Sequence, residues 1–155
     1  MKKFIIIFLI LFSGVSPGIY GIKHTDLIEE PAYAEQNKGV LNMNIQIEDN
    51  IFKVNLEDNE TARVLVNKLP MTINMLELNG NEKYYYLSDR LPAVPKKVEN
   101  IKNGDIMLFG DNCLVIFYKD FKTSYSYTKI GHIENSYNLG VLLGKGNVKV
   151  MLNAN

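Results

Sequence analysis

The stretch LNMNIQIEDNIFKVNLE at residues 41–57 indicates a fold built from β-strands. Apolar side chains occupy every second position over residues 41–47 and again over 52–56, which is the pattern of half-buried strands. Between the two runs lies Asp49-Asn50, a pair that tolerates the positive φ angles of a tight hairpin turn. The stretch therefore predicts two antiparallel strands joined by a turn.

The hydrophobic period changes from two to about 3.6 after these strands. One apolar helical stripe is formed by Ala62, Leu65, Val66 and Leu69. Asp58 or Asn59 is placed to cap the start of this helix, and Pro70 ends it. The pattern predicts one short helix after the first hairpin.

Strand patterns return over residues 71–75, 82–86, 106–109, 113–118 and 148–152. The run at 113–118 is apolar on both faces, which indicates a central strand. Turn signals separate these runs, the strongest of them at Asn79-Gly80. Residues 89–100 contain two prolines and are expected to form a surface excursion.

A second short helix is predicted before the last strand. Ser136 is placed to cap it, and Leu139, Leu142 and Leu143 form its inner face. The chain is therefore mainly β, with seven or eight short strands and two helices. This content favours a closed barrel, because closure removes exposed strand edges. Two helices are too few for a parallel sheet of repeated strand–helix–strand units.

The first 39 residues differ from the rest of the chain. Lys2 and Lys3 precede an apolar run over residues 4–12, and small residues then break the run, as in a secretory signal peptide. We expect a signal peptide at residues 1–21, a flexible tether at 22–39 and the folded domain at 40–155. The protein would then be exported, to a periplasm or the medium. An uncleaved N-terminal segment acting as a membrane anchor is the alternative.

Composition limits the classes of function. The chain has 155 residues, 46% hydrophobic content, 22% charged content and a formal net charge of zero. These values fit one globular domain, and a neutral chain with no basic cluster beyond Lys96-Lys97 is not expected to bind nucleic acid. The one cysteine, Cys113, lies in an apolar run and is expected to be a buried small hydrophobe.

Four segments resemble the bacterial cyclophilin-like domain family. They are NLEDNETA at residues 55–62, LELNGNEKY at 76–84, GDIMLF at 104–109 and SYSYTKIG at 124–131. The resemblance covers about residues 43–152, with the motifs in the family's order. It implies a closed eight-stranded cyclophilin-like barrel with two short helices. Members of the family are largely uncharacterised, so the resemblance implies a fold more than an activity.

True cyclophilins are peptidyl-prolyl isomerases that use an arginine on the strand after the first helix. That strand corresponds here to residues 71–76, which contain no arginine. The two arginines of the chain are Arg63, on the predicted first helix, and Arg90, in the excursion. Because the arginine is absent from this strand, the first hypothesis is a non-catalytic binding module. The alternative is a weak or degenerate isomerase.

The groove where isomerases hold their substrate implies a set of candidate ligand-binding residues. They are Thr72, Asn74, Glu82, Tyr84, Phe109, Tyr125 and Tyr127. Aromatic walls with a few polar groups suit a small molecule or a short peptide, although tyrosines that merely cover the barrel would give the same pattern. Glu82 is either a carboxylate with a raised pKa in an aromatic pocket, or a residue that bonds the amides of the preceding turn or forms a surface pair near Lys83.

No cofactor or metal is expected. His132 is the one histidine inside the predicted domain, and further ligands at suitable spacing are not visible in the sequence. Gly144-Lys145-Gly146 lacks the surrounding pattern of a phosphate-binding loop. The sequence predicts an exported module whose partner is a small molecule or a short peptide.

Overall fold

The computed structural model describes residues 41–144 and 146–154. The predicted signal peptide at 1–21 and tether at 22–39 lie outside the described residues. Within the described ranges, no helix combines the length and the apolar character needed to cross a bilayer.

Strands dominate the described part of the chain. The strands are β1 Met43–Ile47, β2 Asn50–Leu56, β3 Met71–Leu78, β4 Glu82–Tyr86, β5 Lys96–Lys97, β6 Asn100–Ile101, β7 Asp105–Phe109, β8 Cys113–Phe117, β9 Phe121–Lys122, β10 Ser126–Ile133 and β11 Val148–Ala154. The helices are α1 Glu60–Val66 and α2 Leu139–Leu143, and a 3₁₀ turn covers Ser136–Asn138.

Eight antiparallel strands close into a barrel in the order β2-β1-β11-β3-β4-β8-β7-β10. The ring closes because β10 pairs with β7 on one side and with β2 on the other. Gly131 faces Leu56 at this junction, next to a register shift between Lys129 and Gly131. The predicted closed eight-stranded barrel with two short helices is confirmed. Outside the ring, β5 pairs with β10, and β6 pairs with β9.

The main core fills the barrel interior and includes one face of each helix. Ile45 and Met75 have no solvent exposure, and neither do Ala62 and Leu65 of α1 or Leu139 of α2. Full burial of an Ile, Leu or Met side chain stabilises a fold by about 1.5–3 kcal/mol. The first helix begins as predicted, with Asn59 as its N-cap: its side-chain oxygen accepts a hydrogen bond from the Ala62 amide at 2.9 Å.

A second hydrophobic cluster covers the outer face of β8. Alternate residues of this strand face opposite ways, so Leu114 and Ile116 join the main core while Val115 and Phe117 join the outer cluster. All five residues of β8 are therefore buried, as expected for a central strand. Val98 and Ile101, from the long connection between β4 and β7, belong to the outer cluster.

Two buried threonines fasten that long connection to the barrel. Thr61 of α1 donates its hydroxyl hydrogen bond to the Pro92 carbonyl at 2.5 Å. The Val94 amide donates to the hydroxyl oxygen of Thr128, on β10, at 2.9 Å. The predicted surface excursion, residues 89–100, therefore packs against the outside of the barrel.

Two local predictions were wrong by a few residues. The first hairpin turns at Glu48-Asp49, with Glu48 at a φ of 51°, because Asn50 already pairs with Ile47. Ser136 does not cap α2, which begins at Leu139. Its hydroxyl donates to the Asn103 carbonyl at 2.9 Å and holds the turn against the start of β7.

Candidate ligand-binding groove

A groove of about 510 Å³ runs along the outer face of the barrel, beside the outer hydrophobic cluster. Its lining comes from the β3–β4 turn, the outward faces of β4, β7 and β8, and the segment from β9 to the start of β10. The lining residues are Leu78, Asn79, Asn81, Glu82, Tyr84, Tyr86, Phe109, Cys113, Val115, Phe121, Lys122, Thr123, Ser124, Tyr125 and Tyr127.

Five of the seven candidate residues line this groove together: Glu82, Tyr84, Phe109, Tyr125 and Tyr127. Strand alternation explains the grouping, since residues two apart on a strand face the same side of the sheet. Tyr84 lies opposite Val115 of β8, and Phe109 lies opposite Cys113. The register of β4, β8 and β7 therefore brings Tyr84 and Phe109 to one surface.

Thr72 and Asn74 do not line the groove. Both are exposed residues of β3, but this strand pairs with β4 only through residues 76–78. Thr72 instead lines a separate cavity of about 400 Å³, and Asn74 lies opposite Lys149 of β11. The length of β3 beyond its contact with β4 separates these two residues from the other five.

Aromatic rings form the walls of the groove. Tyr84 and Tyr86 meet edge to face with their centroids 5.7 Å apart. Phe109 contacts Tyr125 at 5.9 Å and Tyr127 at 5.5 Å. Such contacts between rings stabilise their arrangement in the walls of the groove. Tyr125 is 62% exposed, whereas Tyr127 is 5% exposed.

Glu82 is a half-buried carboxylate in this aromatic setting. Burial, and next the negative charge of Glu77, raise the pKa of Glu82 above the ordinary value of 4.5. Among the described residues, no hydrogen bond or ion pair reaches the Glu82 side chain. The groove therefore presents one acidic group that has lost part of its hydration without gaining a partner.

Two neighbours of Glu82, Tyr127 and Cys113, stay protonated at neutral pH. Burial, and then the charge of Glu82, raise the pKa of Tyr127 to about 12. The same two causes raise the pKa of the Cys113 thiol, which is buried as predicted. A thiol held in its neutral form is a poor nucleophile. Glu82, Cys113 and Tyr127 all line the groove, so this electrostatic influence acts between neighbours in one site.

The role of bonding the turn amides belongs to Glu77 and not to Glu82. Glu77 accepts a hydrogen bond from the Gly80 amide at 2.8 Å and another from the Tyr118 hydroxyl at 2.7 Å. It also pairs with the ammonium of Lys83, which has no solvent exposure. Burial tends to raise the pKa of Glu77, but the hydrogen bonds from Lys83 and Tyr118 outweigh it and lower this pKa. Glu82 is thereby left free of the turn.

A second groove, of about 590 Å³, was missed by sequence reasoning. It lies where the connection from Pro92 to Asn100 faces α1 and the start of β10, and it shares Tyr127 with the first groove. Its charged lining residues are Glu57, Glu60, Lys96, Lys97, Glu99 and Lys129. No local sequence pattern could have indicated this groove, because it arises from the folding of the excursion over the helix.

Neither arginine is placed in the aromatic groove. Arg63 pairs with Asp58 beside α1. Arg90 pairs with Asp111 at 2.9 Å, and its side chain is mostly exposed. The strand that follows α1, β3, contains no arginine. The group that polarises a proline amide in true isomerases therefore has no counterpart on this strand.

His132 lies away from the groove, next to the β7 strand. Its Nδ1 is 3.0 Å from a carboxylate oxygen of Asp105. Within residues 41–144 and 146–154, no group of three or more histidine, cysteine, aspartate or glutamate side chains could hold a metal ion.

Comparison with known proteins agrees with the architecture. The model of the cyclophilin-like family matches residues 45–153. The solution structure of a hypothetical protein from Archaeoglobus fulgidus is 20% identical, with a TM-score of 0.58. The match covers 77% of this chain and 99% of that one, and at this identity it shows a shared fold. No curated protein matches the sequence. With its motifs, closed barrel and family match, the chain belongs to the cyclophilin-like family.

Proposed function

We propose that this protein is an exported cyclophilin-like module that binds a small molecule or short peptide in the aromatic groove, without catalysing a reaction on it. The observation that carries the proposal is the convergence of six aromatic residues and Glu82 on one groove of about 510 Å³. Small-ligand sites commonly have volumes of about 300–1,000 Å³, apolar walls and a few polar groups that fix orientation. The volume of the groove lies in this range, and its lining combines aromatic rings with polar groups, among them Glu82.

The chemistry of the groove supports binding more than catalysis. Its thiol and its most buried phenol are held in their neutral forms, because the pKa of Cys113 and that of Tyr127 are both raised. Glu82 has no hydrogen-bonded base or acid beside it among the described residues. Acid–base and nucleophilic catalysis both depend on such positioned pairs.

Export rests on the sequence of residues 1–21. This segment matches a signal peptide, because two lysines precede an apolar run and small residues follow it. Mass measurement of the N-terminus of the protein recovered from the cells' exterior tests this part. A mature chain starting near residue 22 supports export with cleavage, and an intact start in the membrane fraction supports the anchor.

A thermal-shift screen with aromatic small molecules and short peptides tests the binding proposal. Each hit is repeated on Tyr84→Ala and Tyr125→Ala, which remove exposed or half-exposed rings of the groove, and on Tyr137→Ala as the matched control. Tyr137 is 79% exposed and lies outside the groove. Binding lost in the first two variants and kept in the control supports the proposal. Hits that are unchanged in both groove variants place the site elsewhere.

A further inference from the structure

We propose that the groove selects ligands that carry a positively charged amine next to an aromatic or apolar group, with Glu82 as the anionic partner of that amine. This inference rests on the proposed function, since it names the chemical class that the same groove takes.

The first support is that the Glu82 carboxylate lacks a counter-charge and a hydrogen-bond donor among the described residues. Glu82 is half-buried at the edge of the outer hydrophobic cluster, and no described side chain or amide bonds it. Removing a carboxylate from water without pairing it is costly, and a ligand ammonium would supply both the charge and the hydrogen bonds. A neutral ligand would cover Glu82 and increase that cost.

The second support is the setting of aromatic rings around the carboxylate. Tyr84, Phe109, Tyr125 and Tyr127 line the same groove. Ring faces attract cations, by about 0.5–2 kcal/mol for each well-placed ring, and this attraction adds to the charge of a carboxylate. Apolar walls with one acid therefore favour an organic cation over a neutral or anionic molecule of the same shape.

The charges that face Glu82 decide how strong this selection is. Glu77, on β3, adds a negative field that is felt at Glu82. Lys83 follows Glu82 on β4, but its ammonium is bonded in the barrel interior to Glu77 and to the carbonyls of Gly144 and Gly146. Lys122, on β9, is the one described basic residue that lines the groove, and it forms no ion pair with Glu82. Its positive charge would oppose a bound cation.

The test compares three probes that share a phenyl ring and differ in charge: phenethylammonium, 2-phenylethanol and phenylacetate. Each is titrated into the full chain by calorimetry at pH 7. We expect phenethylammonium to bind most tightly and phenylacetate least. Glu82→Gln should weaken phenethylammonium binding about tenfold or more, since it removes the charge at nearly constant shape. Glu48→Gln, an equal charge change in the exposed first hairpin, should leave the affinity unchanged.

A second variant keeps the inference open to refutation. Lys122→Gln should strengthen phenethylammonium binding about two- to threefold, because it removes an opposing charge near the groove. Equal binding of phenethylammonium and 2-phenylethanol, unaffected by Glu82→Gln, would overturn the charge selection and leave the groove as a binding site. The absence of binding by all three probes would overturn the charge selection. The proposed function itself would fail only if the hits of the thermal-shift screen also bound the Tyr84→Ala and Tyr125→Ala variants as tightly as wild type.

Discussion

The ammonium of Lys83, which has no solvent exposure, is paired with the carboxylate of Glu77, which also accepts the hydroxyl hydrogen of Tyr118. Lys83 donates further hydrogen bonds to the carbonyls of Gly144, at 3.0 Å, and Gly146, at 2.6 Å. The buried lysine therefore joins the β3–β4 hairpin to the link between α2 and β11.

The first prediction concerns the stability that this pair provides. Glu77→Gln should lower the free energy of unfolding by about 3 kcal/mol, because it leaves a buried ammonium without its counter-charge. Lys83→Met should cost less, about 1–3 kcal/mol, since it leaves two carbonyls without a donor, and the carboxylate that loses its counter-charge, that of Glu77, keeps 21% of its exposure to water. The double variant should cost less than the sum of the two. Urea unfolding of all four proteins measures the coupling.

Lys68→Met is the matched control for this series, since Lys68 pairs with Asp89 at 2.7 Å on the surface. Its cost should stay below about 1 kcal/mol, as for other exposed pairs. If Glu77→Gln and Lys68→Met lower the free energy of unfolding equally, the structural role given to the buried lysine is contradicted.

The second prediction is a loss of stability in acid. The pKa of Glu77 in the folded protein is lowered from the ordinary 4.5, so the unfolded chain binds the proton more readily there. The contribution of Glu77 is therefore complete above about pH 4.5 and is lost as the pH falls through the folded pKa. Urea midpoints from pH 7 down to pH 3 should show wild type losing its advantage over Glu77→Gln. A constant difference over this range would refute the assignment.

The third prediction concerns closure of the barrel at Gly131. A Cβ added there would lie 2.7 Å from the carbonyl oxygen of Asn55 and 2.9 Å from a methyl carbon of Val54. Gly131→Ala should therefore destabilise the protein by about 1–3 kcal/mol, because β2 and β10 must move apart. Gly146→Ala is the control, since nothing lies within 4 Å of its added Cβ. Thermal unfolding that affects both variants equally would contradict a tight closure at this junction.

The fourth prediction separates the two functional hypotheses. Neither arginine of the chain lies on β3 or lines the groove, so a protease-coupled assay should show no proline isomerisation above the buffer rate at micromolar protein. Rotation about the X-Pro bond faces a barrier of about 18–20 kcal/mol, which an apolar groove alone lowers little. A clear rate that is lost in Tyr127→Phe or Glu82→Gln would instead favour the degenerate isomerase.

Much of the fold was predictable because its strands follow from the spacing of apolar residues close together in the sequence. Alternation along residues 41–57 identified the first hairpin, and the apolar run of β8 identified a strand covered on both faces. The fate of Lys83 was not predictable, since a lysine between Glu82 and Tyr84 looks like a solvated residue. Its burial depends on Glu77 and on a glycine link more than sixty residues away.

The candidate site was predicted in part for a similar reason. Strand alternation is local, so Glu82 and Tyr84 could be assigned to the same face from sequence. Whether β3 contributes to that face depends on how far it pairs with β4, and Thr72 and Asn74 lie beyond that pairing. The charged groove between the excursion and α1 requires contacts such as that of Thr61 with Pro92, which no pattern encodes.

The most direct test of the binding claim is an NMR titration of the ¹⁵N-labelled full chain with a hit from the thermal-shift screen. We expect saturable shifts of the amide resonances of Glu82, Tyr84, Phe109 and Tyr125, with those of Thr72 and Asn74 unchanged. Shifts centred on residues outside the groove, with the four groove resonances unmoved, would contradict it.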